Sequence, residues 1–160
     1  MDALRTLGET PPQAYAFVYG SSMYPSIIGA VYFYPFLNGS LVLASISGLP
    51  FRIEKCQERV FGFHIHEGSV CRGTTQDPFA QTKTHYNPNH CDHPAHAGDL
   101  PALFGNHGYA LEIFYTERFL PTEVIGKTVV IHDMPDDYKT QPSGGSGEKI
   151  ACGEIQDNRM

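Results

Sequence analysis

The sequence predicts an all-β protein, an antiparallel sandwich or barrel of short strands. Apolar runs rich in Val, Ile, Phe and Tyr recur along the chain, and 16 glycines and 12 prolines interrupt them. No stretch holds apolar residues at helical spacing over three turns. With 160 residues the chain is long enough for one domain with its own core.

Each strand is predicted from an apolar run bounded by turn residues. Asn38-Gly39, the strongest short hairpin signal, predicts a tight turn between the second and third strands. In chain order the eight predicted strands are 14–20, 29–37, 40–48, 60–67, 100–104, 108–116, 127–133 and 149–155.

Two long segments, 69–99 and 134–148, carry little strand pattern. Loops of this length in a compact domain are usually functional or disordered. The first contains four histidines, so we expect a metal to order it, whereas the second is rich in Gly and Ser and should be more mobile. We interpret 1–160 as a single domain and expect 1–13 to be a loosely ordered N-terminal extension.

The charge distribution limits the partners of the protein. The net charge is -6, and the 11 basic residues are scattered singly, which argues against a nucleic-acid or anionic-membrane surface. No apolar run reaches membrane-spanning length, and the first residues lack the order of a signal peptide. We therefore expect a soluble protein, cytoplasmic as the sequence stands and periplasmic or extracellular if a leader has been removed.

All eight histidines lie between His64 and His132. Because side chains alternate along a strand, the run "FGFHIHE" places His64 and His66 on one face. The run "VVIHD" places His132 in a similar apolar setting. Imidazole nitrogens suit copper better than calcium or magnesium, so these three residues are predicted to form a nitrogen-only metal set.

The segment "HYNPNHCDHPAHAGDL" offers a second set of metal ligands. Three imidazoles and one carboxylate suit a closed tetrahedral zinc site, which would order a loop that has no core of its own. The four cysteines form no CxxC pair, so a thiolate zinc knuckle is not expected. The candidate ligands are His85, His90, His93, His96 and Asp99.

The sequence resembles the copper–zinc superoxide dismutase family from about residue 14 to residue 155. The segments that carry the resemblance are "GFHIHE", "HYNP", "HAGDLPAL", "GKTVVIHDMPDD" and "GEKIACGEI", in that order. The cysteine five residues after His66 and the run "DLPAL" are similar to the bacterial branch. The resemblance implies an eight-stranded Greek-key β-barrel or Ig-like sandwich that converts superoxide to oxygen and hydrogen peroxide.

The resemblance also implies two metal sites that share His85 as a bridging imidazolate. His85 would take a proton when copper is reduced and release it towards peroxide as copper cycles between its redox states. The implied copper ligands are His64, His66, His85 and His132, and the implied zinc ligands are His85, His93, His96 and Asp99.

Other roles follow from the same resemblance. Asp136 would hydrogen-bond one copper and one zinc histidine and fix their ring orientation. Cys71 and Cys152 would form an intrasubunit disulfide. Lys149 stands where the family has an arginine that guides the anion, so Lys149 and His85 are the candidate catalytic residues.

Two features depart from the family pattern. Only two residues separate His93 from His96, so His90 or Cys91 could join the shortened zinc loop. Lys149 keeps the charge of the usual arginine but lacks its two-donor fork, so we expect lowered activity.

The rival hypothesis is a relative that holds copper or zinc for storage, delivery or structure without turnover. A missing copper ligand would favour that rival, but all four ligands are present. The sequence leaves the oligomeric state open, a homodimer included.

Overall fold

The structure is a computed structural model that describes residues 2–54, 56 and 59–158. Most of these residues lie in short strands and connecting loops, as predicted. The strands are β1 (Ala14–Gly20), β2 (Ile28–Phe36), β3 (Gly39–Ser47), β4 (Val60–Phe61), β5 (Phe63–His66), β6 (Leu103–Phe104), β7 (Ala110–Thr116), β8 (Thr128–His132), β9 (Lys149–Glu154) and β10 (Gln156–Asp157). The α-helices are α1 (Ala3–Glu9) and α2 (Pro121–Val124).

One antiparallel sheet contains eight of these strands. Its order is β5, β8, β9, β1, β2, β3 and β7, and β10 pairs with the start of β1. Strands β4 and β6 form a separate pair. Because β4 leads into β5 at one edge and β6 contacts β7 at the other, this pair joins the two edges of a curled sheet. The all-β antiparallel prediction is confirmed.

The concave face of the sheet carries the core. Along β1 the alternation is regular: Ala14, Ala16 and Val18 are buried, whereas Phe17 and Tyr19 are exposed. Strands β5 and β8 differ because every one of their residues is buried. Their inner side chains join the core, and the two long loops cover their outer side. That covered outer side is where the histidines of β5 and β8 lie.

The N-terminal segment contains the short helix α1. Asp2 caps α1 by accepting a hydrogen bond from the backbone N–H of Leu4 at 3.0 Å. Arg5 and Glu9 form an i,i+4 ion pair within the helix. Ala3 and Leu7 pack on a small apolar cluster of the sheet, which explains why so short a helix is ordered. None of the described helices is long and apolar enough to cross a membrane.

The predicted hairpin exists, but its turn is shifted by one residue. Phe36 pairs with Gly39, so the turn residues are Leu37 and Asn38, and Leu37 has φ 50°. Gly39 begins β3, where a Cβ atom would collide with the backbone carbonyl of Thr116. Glycine is therefore required by the close approach of β7 and not by the turn.

Two predicted strands are shorter than expected. The segment 60–67 is split at Gly62, whose N–H donates to the carbonyl of Met134 and whose carbonyl accepts from His132. Only the last two residues of 100–104 pair with another strand. Pro101, two residues before Leu103, has no N–H to contribute to a ladder.

Candidate metal centre

Four histidines converge on the outer side of β5 and β8. His64 and His66 lie on β5, His132 ends β8, and His85 comes from the loop 69–99. An isolated β-bridge pairs His66 with His85, so backbone hydrogen bonding fixes their separation. All four rings are at most 5% exposed, and their ligand atoms lie within 4.8 Å of one another. We call these four residues the nitrogen-only group.

A second group shares His85 and adds two loop histidines and a carboxylate. Its members are buried, and their ligand atoms also lie within 4.8 Å of one another. Asp99 lies at its centre, with Oδ1 2.8 Å from Nδ1 of His85 and Oδ2 3.0 Å from Nδ1 of His93. We call this set, His85, His93, His96 and Asp99, the mixed group.

Asp136 connects the two groups. Its carboxylate accepts hydrogen bonds from Nε2 of His64 at 2.7 Å and from Nε2 of His93 at 2.9 Å. Burial alone would raise the pKa of Asp136, but bonds from His64, the Tyr138 N–H and His93 hold it well below the usual range. The carboxylate is therefore ionised, and it leaves Nδ1 as the free nitrogen of both rings.

His66 and His132 are oriented by backbone carbonyls. Nδ1 of His66 donates to the carbonyl of Lys83 at 2.9 Å, and Nδ1 of His132 donates to the carbonyl of Gly147 at 3.3 Å. Each neutral ring then carries its lone pair on Nε2, and the two Nε2 atoms are only 3.3 Å apart. Two lone pairs directed at each other repel, and a cation between them removes that repulsion.

Burial keeps His64, His66 and His132 of the nitrogen-only group neutral. It lowers the pKa of His64 to about 4 against the opposing bond from Asp136, and it lowers the pKa of His132 to about 3. Burial, followed by the neighbouring His85, also lowers the pKa of His66 well below its ordinary value. Near neutral pH these rings therefore present lone pairs that can bind a metal.

Four buried ring nitrogens have no hydrogen-bond partner, and they test whether metals fit. They are Nδ1 of His64, Nε2 of His85, Nδ1 of His93 and Nδ1 of His96. The last two lie 3.0 and 3.2 Å from Oδ2 of Asp99, but without the geometry of a hydrogen bond. An unsatisfied buried polar atom costs about 1–3 kcal/mol, so four in one place call for an additional partner. Metal ions satisfy such atoms. Four nitrogens suit copper, and three nitrogens with one carboxylate suit zinc.

Gln141 and Arg118 belong to neither ligand group, but both hold the part of the loop 69–99 that carries the mixed group. Neither role was predicted from the sequence. The Gln141 amide accepts from the backbone N–H of His93 at 3.0 Å and donates to its carbonyl at 2.6 Å. Arg118 donates through Nη1 to the carbonyls of Pro94, His96 and Asp99 at 2.9, 3.2 and 3.3 Å. Neither residue lies in a spaced motif, so the sequence carries no signal for these contacts.

A cavity of about 400 Å³ lies next to the metal groups. Lys149 lines it, but its amine lies 3.2 Å from Asp77 Oδ2 and 3.2 Å from the carbonyl of Phe79. The positive charge of Lys149 is thus partly compensated, which the sequence did not predict. The other residues of its wall include His66, His85, His96, His132 and Lys83.

The cysteines and the remaining loop histidine answer two questions that the sequence left open. Cys71 and Cys152 form a disulfide with a Cα–Cα distance of 5.7 Å, which ties the loop 69–99 to β9. Cys91 is a free thiol, and His90 is exposed. Among the described residues it is His93, and neither His90 nor Cys91, that belongs to the mixed group.

Comparison with known proteins gives consistent results. The family model for copper/zinc superoxide dismutase matches residues 28–155. The chain is 35% identical to a superoxide dismutase [Cu-Zn] of Deinococcus radiodurans, over 81% of this chain and 78% of that protein. It is also 35% identical to superoxide dismutase [Cu-Zn] 2 of Aquifex aeolicus, over 74% of this chain and 73% of that protein.

Solved structures with a similar fold include two bacterial proteins. The Cu/Zn superoxide dismutase from Brucella abortus superposes with a TM-score of 0.75 at 25% identity, covering 89% of this chain and 99% of that chain. A variant of a SOD-like protein from Bacillus subtilis superposes with a TM-score of 0.73 at 26% identity, covering 89% of this chain and 97% of that chain. The curled antiparallel sheet is thus the fold of this group of proteins.

Proposed function

The chain belongs to the copper/zinc superoxide dismutase family, and we propose that it converts two superoxide anions and two protons to oxygen and hydrogen peroxide. In this proposal the nitrogen-only group holds copper and the mixed group holds zinc. The observation that carries the proposal is that two complete, buried ligand groups share one histidine, His85. Copper, when bound, supplies a centre that accepts one electron and returns it, whereas zinc keeps one oxidation state.

His85 is proposed to act as the bridging and proton-carrying residue. Its Nδ1 lies 2.8 Å from Asp99 in the mixed group, whereas its Nε2 is buried without a partner. One ring nitrogen therefore serves each group. Because His85 also lines the cavity, a proton held at Nε2 is within reach of an anion that enters there.

Asp99 and Asp136 keep this arrangement in place. Asp99 fixes the orientation of His85 from the zinc side, and Asp136 fixes one histidine of each group. Because the rings are positioned before substrate arrives, the only change of partner that turnover requires is at Nε2 of His85.

Lys149 is proposed to attract the substrate anion. The protein carries a net charge of -6, so capture of superoxide requires a local positive potential at the cavity. Lys149 lies in the cavity wall with its amine directed to Asp77 and the Phe79 carbonyl. Its contribution is therefore smaller than that of an unpaired cation.

The test is metal analysis together with superoxide consumption by the purified protein. We expect one copper and one zinc per chain and catalytic consumption of superoxide. His85→Asn should lose activity because an amide replaces the bridging ring, whereas His90→Asn, the same change at an exposed histidine of the same loop, should keep it. Metal-loaded protein that does not consume superoxide would favour the rival, a binding protein without turnover.

A further inference from the structure

Lys83 has a backbone conformation that a lysine rarely adopts. Its φ is 62° and its ψ is -143°, close to a region that is accessible almost only to glycine because a Cβ atom is crowded there. Lys83 directly follows the short 3₁₀ helix Ala80–Thr82, and its N–H donates to the carbonyl of Ala80 at 3.2 Å. Glycine would occupy this position with less strain, yet the sequence has a lysine.

Hydrogen bonds on both sides of Lys83 impose this conformation. The carbonyl of Thr82 accepts from the N–H of Gly68 at 2.8 Å, and the carbonyl of Thr84 accepts from the N–H of Glu67 at 2.9 Å. The carbonyl of Lys83 itself accepts from Nδ1 of a ring in the nitrogen-only group at 2.9 Å. The surroundings therefore hold the backbone of residue 83 in place whichever side chain it carries.

The side chain of Lys83 is exposed, and Lys83 lines the cavity beside the metal groups. Among the described residues of the cavity wall, Lys83 and Lys149 are the lysines, and none is Arg, Asp or Glu. Lys149 is paired with Asp77, whereas Lys83 takes part in no ion pair within the described part of the chain. Lys83 thus gives the cavity a positive charge that no described carboxylate compensates.

We propose that Lys83 is the main anion-guiding residue of the cavity, and that this role explains a lysine where glycine would be less strained. Residues in sparsely populated backbone regions persist where their surroundings impose them, and they concentrate at functional sites. A free cation beside the metal ligands attracts a small anion more strongly than one that shares its charge with a carboxylate. That the anion is superoxide rests on the proposed function, whereas the attraction applies to any small anion.

Azide, a small anion with the same charge as superoxide, is the probe for this role. Lys83→Gln removes the charge and keeps the backbone strain. It should weaken azide binding to the metal-loaded protein about tenfold, the low end for electrostatic focusing, and more than Lys149→Gln does. The second-order rate of superoxide consumption should fall similarly, and both quantities should depend less on ionic strength. Lys83→Arg should keep the parental values.

The matched control for the charge is Lys139→Gln, since Lys139 is exposed and lies outside the cavity wall. It should bind azide and consume superoxide as the parent does. Copper and zinc contents should be equal in all of these proteins, so that a change in azide affinity reports the side chain and not a loss of metal.

Lys83→Gly separates the strain from the charge. The thermal midpoint of the metal-loaded protein should rise by about 2–4 °C, because relief of the strain outweighs the greater flexibility of the unfolded chain. Lys83→Gln should leave the midpoint unchanged. Lys139→Gly is the control, and it should lower the midpoint because residue 139 does not have a positive φ.

Two results would overturn the proposal. Parental azide affinity in Lys83→Gln would exclude the guiding role, and a midpoint for Lys83→Gly no higher than that of the parent would exclude the strain. Failure of the proposed function gives a different pattern, in which the metal-loaded parent does not consume superoxide but still binds azide more tightly than Lys83→Gln.

Discussion

The nitrogen-only group and the mixed group are equally buried, but they are held in place by different means. Three of the four nitrogen-only ligands stand on β5 and β8, whose paired backbones fix their positions. All four mixed-group ligands stand on the loop 69–99, where single β-bridges tie His85 and Asp99 to β5 but His93 and His96 belong to no strand ladder. That loop is held by side chains from elsewhere, Gln141, Arg118 and Asp136. The nitrogen-only group is thus preorganised by the sheet, whereas the mixed group depends on individual side-chain contacts.

The largest expected effect comes from removing a ligand on the sheet. His132→Ala should reduce superoxide consumption to the level of metal-free protein, because the nitrogen-only group loses one of four donors. Zinc should remain at one per chain, since Nδ1 of His132 bonds Gly147 rather than a mixed-group residue. Metal analysis and a superoxide assay check both results, and full activity in this variant would contradict the copper assignment.

His64→Ala tests whether Asp136 couples the two ligand groups. It should also abolish dismutation, but it should weaken zinc binding as well, because Asp136 loses one of the two histidines that it holds together. Equal zinc affinity in His64→Ala and His132→Ala would show that Asp136 does not couple the two groups.

The next largest effect is a loss of zinc affinity at the mixed group alone. Gln141→Ala should weaken zinc binding roughly tenfold, the lower end for loss of a residue that orients a ligand, and should leave copper binding unchanged. Gln141→Glu keeps the acceptor for the His93 N–H but not the donor, so its affinity should be intermediate. Competition with a zinc chelator measures these affinities.

Cobalt(II) in place of zinc gives a readout that a general loss of stability would not change, because its visible absorption reports the ligand geometry. Gln76→Ala serves as the control, since Gln76 is an exposed glutamine of the loop 69–99. Parental cobalt spectra and zinc affinity in Gln141→Ala would show that the glutamine does not position His93.

Reduction of the disulfide should have a moderate effect on stability. The Cys71–Cys152 bond spans 81 residues, and closing such a loop stabilises by up to about 4 kcal/mol in the chain-entropy description. Thermal unfolding with and without reductant should show a lower midpoint for the reduced protein. Thiol titration of denatured, non-reduced protein should find two free thiols of the four cysteines. Four free thiols would contradict the disulfide.

The smallest expected effect concerns the cavity wall. Lys149→Gln should lower the second-order rate by roughly tenfold or less, the low end for steering, because Asp77 already compensates part of the charge. It should also flatten the dependence on ionic strength. Lys149→Arg should hold or raise the rate, because a guanidinium can present two donors. Lys139→Gln, outside the cavity wall, is the control, and equal rates and salt slopes for Lys149→Gln and the parent would rule out a guiding role.

The parts of the fold and site that local patterns specify could be predicted from the sequence. Strand alternation placed His64 and His66 on one face, and the apolar runs located all the long strands. The resemblance to a family added the pairing of Cys71 with Cys152 and the position of Asp136, which no local pattern specifies. The structure brings both sets of residues together.

Contacts between distant loops could not be predicted. Gln141 is 48 residues from His93, and Lys149 is 72 residues from Asp77, so no periodicity or motif connects them. Tertiary contact also decided two local features. Packing on the sheet stabilises the short helix α1. The close approach of β7, rather than the turn, requires glycine at position 39.

Diffraction from crystals of the metal-loaded protein, recorded at the copper and zinc absorption edges, tests the central claim most directly. We predict one copper peak within the nitrogen-only group and one zinc peak within the mixed group, with the ring of His85 between them. A single peak, copper within the mixed group, or a His85 ring that contacts only one metal would contradict the account.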